Sequence, residues 1–338
     1  MSGGVDSSVA GHILLAQGYE LVGVTLNLHS TATAKNAAED AARVARQLGI
    51  EHHVLDESQA FDALVQQPFV REYHAGRTPS PCILCNRHIK FERLLRFADM
   101  LDCEFLATGH YAVTKHEAGG LGSPPALYRA SDHTKDQSYF LFMLTPDMLA
   151  RTLMPLGAMS KSEIRAIAKE IGLHVAEKPD SLDICFVPEN NYIGFLRERV
   201  GELRGGEFVD TDGRVVGQHE GIEHFTVGQR RGLPGGGVVP RYVLGIDPET
   251  ARVTVGPRDM LACTEFFING LNWLDGEPRP VRGTLKVRNT SSPTGGTVTP
   301  LGDGRARVSL ERVQHSITPG QAAVLYRGER LIGGGWIE

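Results

Sequence analysis

The chain opens on Ser2-Gly3-Gly4-Val5-Asp6-Ser7-Ser8 and runs at once into Val9-Ala10-Gly11-His12-Ile13-Leu14-Leu15. Glycines, small hydroxyls and one acid ahead of an apolar run predict a tight turn feeding the N-terminus of a helix. Such a turn leaves backbone N–H groups unpaired and aimed one way, at the positive end of the helix dipole, where a phosphate is the natural partner. No Gly-Lys-Ser/Thr follows the glycines, so this is not the Walker loop, and the third glycine of the dinucleotide fingerprint is missing. In a doubly wound fold a loop of this kind follows a buried strand. Only Met1 precedes it. The expectation is that roughly five to eight further strand residues are encoded upstream, translation having been assigned to an internal methionine.

The order of these residues resembles the S-G-G-x-D-S pyrophosphate loop of enzymes that cleave ATP to AMP and pyrophosphate. An ordinary serine and glycine helix cap is the plainer alternative. The segments that follow alternate between strand and helix patterns. Glu20–Leu26 reads as a buried strand, Ala34–Leu48 as a helix, His53–Leu55 as a strand, Ser58–Tyr73 and Cys85–Leu101 as helices, and Phe105–Thr108 as a strand. That alternation predicts an α/β domain with a parallel sheet covered on both faces. Ser160-Lys161-Ser162-Glu163 is a capping box whose helix stops at Gly172. Beyond about Asn190, turn signals recur at Thr211-Asp212-Gly213, Leu233-Pro234-Gly235-Gly236 and Asp303-Gly304. Short strand candidates lie between them, Arg252–Val255 and Ala322–Tyr326 among them, which predicts small β domains. The expected division is 1–200, 201–260 and 261–338.

With 41% hydrophobic residues the chain can build real cores. No run approaches the ~20 apolar residues of a membrane span and no secretory signal is visible, so the cytoplasm is the expected compartment. Five cysteines, an odd number, do not read as a secreted disulfide framework. The formal charge of -5 excludes a generally basic nucleic-acid coat but not local basic surfaces.

Thr78-Pro79-Ser80-Pro81-Cys82-Ile83-Leu84-Cys85-Asn86 is the second informative stretch. Two prolines hold the approach extended, and Cys85 is expected at the start of a helix, where the positive helix end raises the thiolate fraction. Cys185 follows Lys178-Pro179-Asp180-Ser181-Leu182-Asp183-Ile184 in another turn-rich stretch. Three readings compete: a structural zinc site, which lacks a second ligand pair; buried inert thiols, the reading that suits Cys103 and Cys263; and a sulfur-carrying or redox pair of Cys85 with Cys185.

The opening loop stands in order with Thr78–Phe91, Ala107-Thr108-Gly109-His110-Tyr111, Lys135–Leu141, Lys178–Phe186 and Phe225–Leu233. Together with Lys286-Val287-Arg288 and Ile317–Gln321, these segments resemble the tRNA-specific 2-thiouridylase family over nearly the whole chain. The resemblance implies an adenine-nucleotide hydrolase-like α/β domain followed by two β-rich domains, the last a barrel. It implies replacement of O2 of the wobble uridine by sulfur in the tRNAs for Lys, Glu and Gln, a cysteine desulfurase or relay protein as sulfur donor, and action as a monomer. ATP pyrophosphate would lie on Ser2, Gly3, Gly4, Val5, Asp6, Ser7 and Ser8, with Asp6 positioning Mg²⁺. Leu26 stands where the family has a nucleotide-contacting methionine, and Gly109 would lie against the nucleotide. Cys85 matches the nucleophile and Cys185 the persulfide carrier. Ser80, Pro81 and Cys82 match a segment touching the target base, with Ser80 standing where asparagine is common. His110, Lys135, Asp136, Gln137, Arg288, Asn289 and Gln321 match tRNA contacts, with Asn289 replacing a common aromatic.

On this resemblance, adenylation converts the uridine oxygen into a leaving group, and the sulfur of a Cys185 persulfide replaces it. A Cys85–Cys185 disulfide remains, so their Cα atoms must come within roughly 7 Å at some point. Alternatively Cys82, Cys85 and Cys185 hold three irons of a [4Fe–4S] cluster whose fourth iron binds sulfide. An RNA-binding module with an inactive nucleotide site is the non-enzymatic alternative. Two basic zones are expected to meet RNA. One runs from Arg71 to Arg96. The other runs from Pro278 onward, where arginines outnumber acids.

Overall fold

The computed structural model describes residues 1–338 apart from 30–31, 116–124, 180–183, 235–239 and 316, with the side chains of 32–35 also left aside. Asp180 to Asp183 of the second cysteine motif, and the turn glycines Gly235 and Gly236, lie outside the described residues. The chain divides into two compact units, 1–65 with 82–182 and 329–331, and 66–81 with 183–328 and 332–338.

In the first unit, helix α1 spans Val5–Ala16, strand β1 Val22–Asn27, helix α2 Ala32–Leu48 and strand β2 Glu51–Asp56. β1 and β2 pair in parallel, Val22 opposite Glu51 through Asn27 opposite Asp56. A second parallel pair joins β3, Leu106–Ala107, to β4, Thr152–Leu153. Parallel neighbours need a crossover, and the helices supply it. Helix α3, Lys161–Glu170, starts on the expected capping box, Ser160 Oγ accepting from the Glu163 N–H. Val5, Val9 and Ala10 of α1, Val44 of α2 and Ile164 and Ala168 of α3 share one core with Tyr111, Leu156 and Val175. Each large aliphatic side chain buried this way contributes about 1.5–3 kcal/mol. That core fixes the start of α1 against α3.

Residues 81–100 form one helical run, and its middle departs from expectation. Pro81 begins it, as proline at a first helical position favours, and Cys85–Arg93 is wound as a π-helix before Leu94–Met100 returns to α geometry. Insertions of π geometry are frequent at functional sites.

The second unit holds two β bodies. A four-stranded sheet is built from β5, Gly206–Val209; β6, Val215–His219; β7, Tyr242–Asp247; and β8, Arg252–Gly256, in the order β6-β5-β8-β7. Phe208, Phe225, Val243, Val253 and Val255 fill its core. The other body contains β9, Cys263–Trp273; β10, Val281–Lys286; β11, Thr294–Pro300; β12, Ala306–Gln314; β13, Ala322–Arg327; and β14, Arg330–Ile337. Their order is β9-β12-β11-β10-β13-β14, and β14 returns to pair with β9, Ile268 opposite Ile337 and Trp273 opposite Gly333. The sheet is thus a closed six-stranded barrel with no free edge of its own. Ile268, Leu285, Val298, Val308, Leu325 and Ile332 point into it.

Candidate active site

Gly4 caps α1 in extended geometry and offers no side chain to the first turn. Ser7 and Ser8 turn their hydroxyls back to the Gly4 carbonyl, at 3.4 and 2.8 Å, and the Ser2 N–H donates to Ser7 Oγ at 3.0 Å. The hydroxyls therefore close the turn, and no N-cap side chain takes up the first-turn N–H groups of α1. Gly3 takes φ +65°, and a Cβ there would run into the Ala37 carbonyl of α2. Val5 corrects a simple reading of the motif. Its side chain is in the core at 4% exposure, so only its backbone N–H can face a ligand.

Asp6 is already engaged. Lys161 Nζ donates to both of its carboxylate oxygens, at 2.7 and 2.8 Å, and Tyr111 OH donates to Oδ1 at 2.7 Å. On the other side of the loop Lys178 Nζ donates to the Gly3 carbonyl at 2.9 Å and to Asp40 Oδ2 at 2.7 Å. That ammonium holds the Asp40 carboxyl below the usual carboxylate range, with His174 adding to the effect. Gly109 lies against the protein rather than open space. A Cβ on it would sit 2.9 Å from both the Asp6 carbonyl carbon and the Ser7 nitrogen. Leu26 is partly exposed near the end of β1.

Lys161 and Lys178 were missed by the sequence reading. Lys161 carried a signal: a cation directly after a helix cap opposes the helix dipole. Lys178 carried none beyond its place in the Cys185 motif. Asp6 is a single carboxylate, which suits Mg²⁺ held jointly with substrate phosphates. Among the described residues no group of three or more His, Cys, Asp or Glu side chains is placed to hold a metal ion.

The helix begins at Pro81, so Cys82 stands in its first turn and Cys85 one turn further in. The expected placement of Cys85 at a helix start is therefore corrected. Its side chain is 7% exposed and opens the π segment, where the effect of the dipole has fallen off. Cys82 is open at its surface, but enough protein surrounds it that desolvation pushes its thiol pKa up, against the pull of Lys90. Asn86, next to Cys85, donates to the Phe140 carbonyl at 3.1 Å and meets His110 Nε2 at 3.2 Å. His110 reaches Thr108 Oγ1 through Nδ1 at 3.0 Å, and burial lowers its pKa to about 3, so the ring is neutral. In the second unit Cys185 is exposed. Its neighbour Phe186 is held edge-on against Phe69, with ring centroids 5.2 Å apart. Phe186 and Tyr111 are core residues at 7% and 3% exposure.

The residues expected to touch tRNA are mostly tied to their own fold. Asp136 Oδ1 accepts from the N–H groups of Ala130 and Ser138, and Gln137 Oε1 accepts from the Tyr111 N–H at 3.0 Å. The Lys135 N–H donates to the Asp132 carbonyl. Arg288 donates to the Val227 carbonyl at 3.1 Å and to Thr318 Oγ1, and Gln321 Nε2 to the Thr78 carbonyl at 2.9 Å. Asn289 Oδ1 is shielded with no donor among the described residues. Ser80 is partly exposed just ahead of Pro81.

The barrel's basic zone is largely neutralised. Arg279 and Arg327 pair with Asp275, Arg282 with Glu311, Arg305 with Glu338 and Arg307 with Glu265. Counting acids from Pro278 onward had left out Glu265 and Asp275. Near the cysteines, Arg87, His88 and Arg96 share Glu92. Exposed pairs of this kind are weak and exchange readily for phosphate.

Three family models match the chain in succession: a tRNA methyl transferase HUP domain over residues 1–189, a tRNA methyl transferase PRC-barrel domain over 193–257 and an aminomethyltransferase beta-barrel domain over 263–337. Curated relatives match along the full chain. The tRNA-specific 2-thiouridylase MnmA of Acidithiobacillus ferrooxidans is 47% identical, covering 100% of this chain and 97% of the relative. The proteins of the same name from Geotalea uraniireducens and Rhodospirillum rubrum are 44% and 47% identical, each covering 100% of this chain and 93% and 94% of the relatives. With the glycine loop, the cysteine helix and the closed barrel all inside that full-length match, the chain belongs to the tRNA-specific 2-thiouridylase family.

Proposed function

We propose that the protein is a tRNA sulfurtransferase that adenylates O2 of the wobble uridine in the tRNAs for Lys, Glu and Gln with ATP, and then replaces that oxygen with sulfur. The observation that carries this reading is the start of α1. A helix N-terminus without a side-chain cap, a glycine turn and a lysine-paired acid are groups suited to a polyanion. The chain around it matches relatives named for 2-thiouridylation along its whole length. The family models' descriptions speak of methyl transfer. Methyl transfer from a sulfonium donor would use neither a pyrophosphate loop nor a pair of reactive thiols.

The chemistry follows from the groups present. Uridine O2 bonds to the α-phosphorus of ATP and pyrophosphate departs with the electrons of the broken P–O bond. The loop N–H groups receive its charge. Asp6 would hold Mg²⁺, which would supply further neutralisation of the phosphates. The Cys85 thiolate attacks the inner sulfur of a Cys185 persulfide, the terminal sulfur leaves as hydrosulfide and attacks C2, and AMP departs. The two electrons needed to reopen the Cys85–Cys185 disulfide come from a cellular thiol reductant. A desulfurase or relay protein reloads Cys185. The protein works as a monomer in the cytoplasm; no described helix is long and apolar enough to cross a membrane.

Mass spectrometry of tRNA nucleosides from cells lacking the gene tests the reading. Loss of 2-thiouridine from the three tRNAs is expected, and unchanged 2-thiouridine would refute the assignment. Purified protein that binds tRNA but releases no AMP with ATP and a persulfide donor would point instead to a binding module.

A further inference from the structure

We propose that Lys161 is a direct ligand of the pyrophosphate end of ATP, its ammonium group held at the glycine loop by Asp6. The inference rests on the reading of Ser2–Ser8 as the nucleotide loop, and it adds a residue from a distant helix to that loop.

Lys161 is the first residue of α3 after its cap, Ser160. A cation there is opposed by the helix dipole, which favours acids in a first turn. The capping box of Ser160 with Glu163 already completes the helix start, so the helix has no need of Lys161. The side chain turns inward, at 12% exposure, and Nζ lies 2.7 and 2.8 Å from the two Asp6 oxygens. Asp6 stands in the first turn of α1. One ammonium group is therefore placed in the first turns of two helices, against the Asp6 carboxylate. Tyr111 completes the support, its ring 5.6 Å below Nζ and its hydroxyl on Asp6 Oδ1. Asp132 accepts only the backbone N–H of Lys161, at 3.3 Å.

An isolated ion pair near a surface contributes little to stability, whereas a site for two or three phosphate groups needs a cation among its ligands. Residues that break a local rule mark functional places. When the phosphates enter, the ammonium exchanges one Asp6 oxygen for a phosphate oxygen, and Tyr111 keeps Asp6 in place. During adenylation the bond from uridine O2 to the α-phosphorus forms and the bond to the bridging oxygen breaks. Pyrophosphate takes the electron pair, the uridine N3 proton passes to solvent, and Lys161 stays protonated throughout.

Equilibrium binding of inorganic pyrophosphate and of AMP to the full chain tests this, with wild type, Lys161→Met and Lys161→Arg compared at fixed Mg²⁺. Lys161→Met is expected to weaken pyrophosphate about tenfold or more, leaving AMP within about twofold. Lys161→Arg is expected to stay near wild type. The rise in melting temperature that pyrophosphate gives the wild type should vanish in Lys161→Met, and Lys161→Gln serves where the methionine variant does not fold. Undiminished pyrophosphate binding overturns the proposal, as does equal weakening of AMP and pyrophosphate, which would mark general damage to the loop. A wild type that binds neither ATP nor pyrophosphate removes the loop reading itself, and this proposal with it.

Discussion

Gln321 Nε2 donates to the Thr78 carbonyl at 2.9 Å, while the Thr78 N–H donates to the Pro319 carbonyl at 2.9 Å. The turn before the fifth barrel strand thus grips the chain four residues ahead of Cys82. A side chain expected to meet tRNA also holds the protein's own backbone. Gln321→Ala should therefore lower stability by about 1 kcal/mol, the usual worth of such a bond, seen as a lower urea midpoint. A Gln321 that served tRNA alone would leave the midpoint unmoved and raise only the KM for tRNA.

Gly109→Ala should be severe. The new methyl would lie 2.9 Å from backbone atoms of Asp6 and Ser7, which cannot rotate away as a flexible side chain can. Overpacking of this kind costs about 1–3 kcal/mol, and here the displaced atoms are those of the glycine loop proposed to hold ATP. The KM for ATP in AMP release should rise together with the loss of stability. Normal ATP kinetics would mean that the contact does not shape the loop.

The glycine loop, the capping box at Ser160 and the strands at 22–27 and 252–256 were legible because local chemistry and tertiary packing agree there. The π winding from Cys85 was not, since its apolar spacing differs little from that of an α-helix. Lys161 and Lys178 come to the loop from more than 150 residues away, and no periodicity encodes such a meeting. The barrel arginines misled in the opposite sense. A one-dimensional count cannot show that Asp275 and Glu265 fold back to neutralise them.

His110 gives a pH dependence with a defined sign. Its folded pKa of about 3 lies below the ordinary value of 6.5 because burial disfavours the imidazolium. Between those values the unfolded chain binds a proton that the native state does not, so stability rises with pH. The contribution is complete above pH 6.5 and is lost as pH falls toward 3, with a slope of up to about 1.4 kcal/mol per pH unit. His110→Gln should flatten that part of the profile in denaturant titrations from pH 7 to pH 4. Identical slopes in wild type and variant would show that the ring is not held neutral.

The cysteines separate the two sulfur-transfer routes. Cys85→Ser and Cys185→Ser should each abolish thiolation while tRNA binding stays close to wild type, since both routes need these sulfurs and neither thiol anchors the RNA. Cys82→Ser is the discriminating change. Desolvation raises its thiol pKa against the pull of Lys90, and the persulfide route gives it no sulfur to pass. Serine keeps a polar group of similar size at this position. On the persulfide route the variant should therefore retain activity within about threefold, an effect of under 1 kcal/mol on the barrier. On a cluster route one of three ligands is gone, and activity should fall with that of Cys85→Ser. Single-turnover thiolation with a preloaded Cys185 persulfide, assayed without iron or sulfide, reads the difference directly. An inactive Cys82→Ser that still releases pyrophosphate would end the persulfide reading and leave adenylation intact.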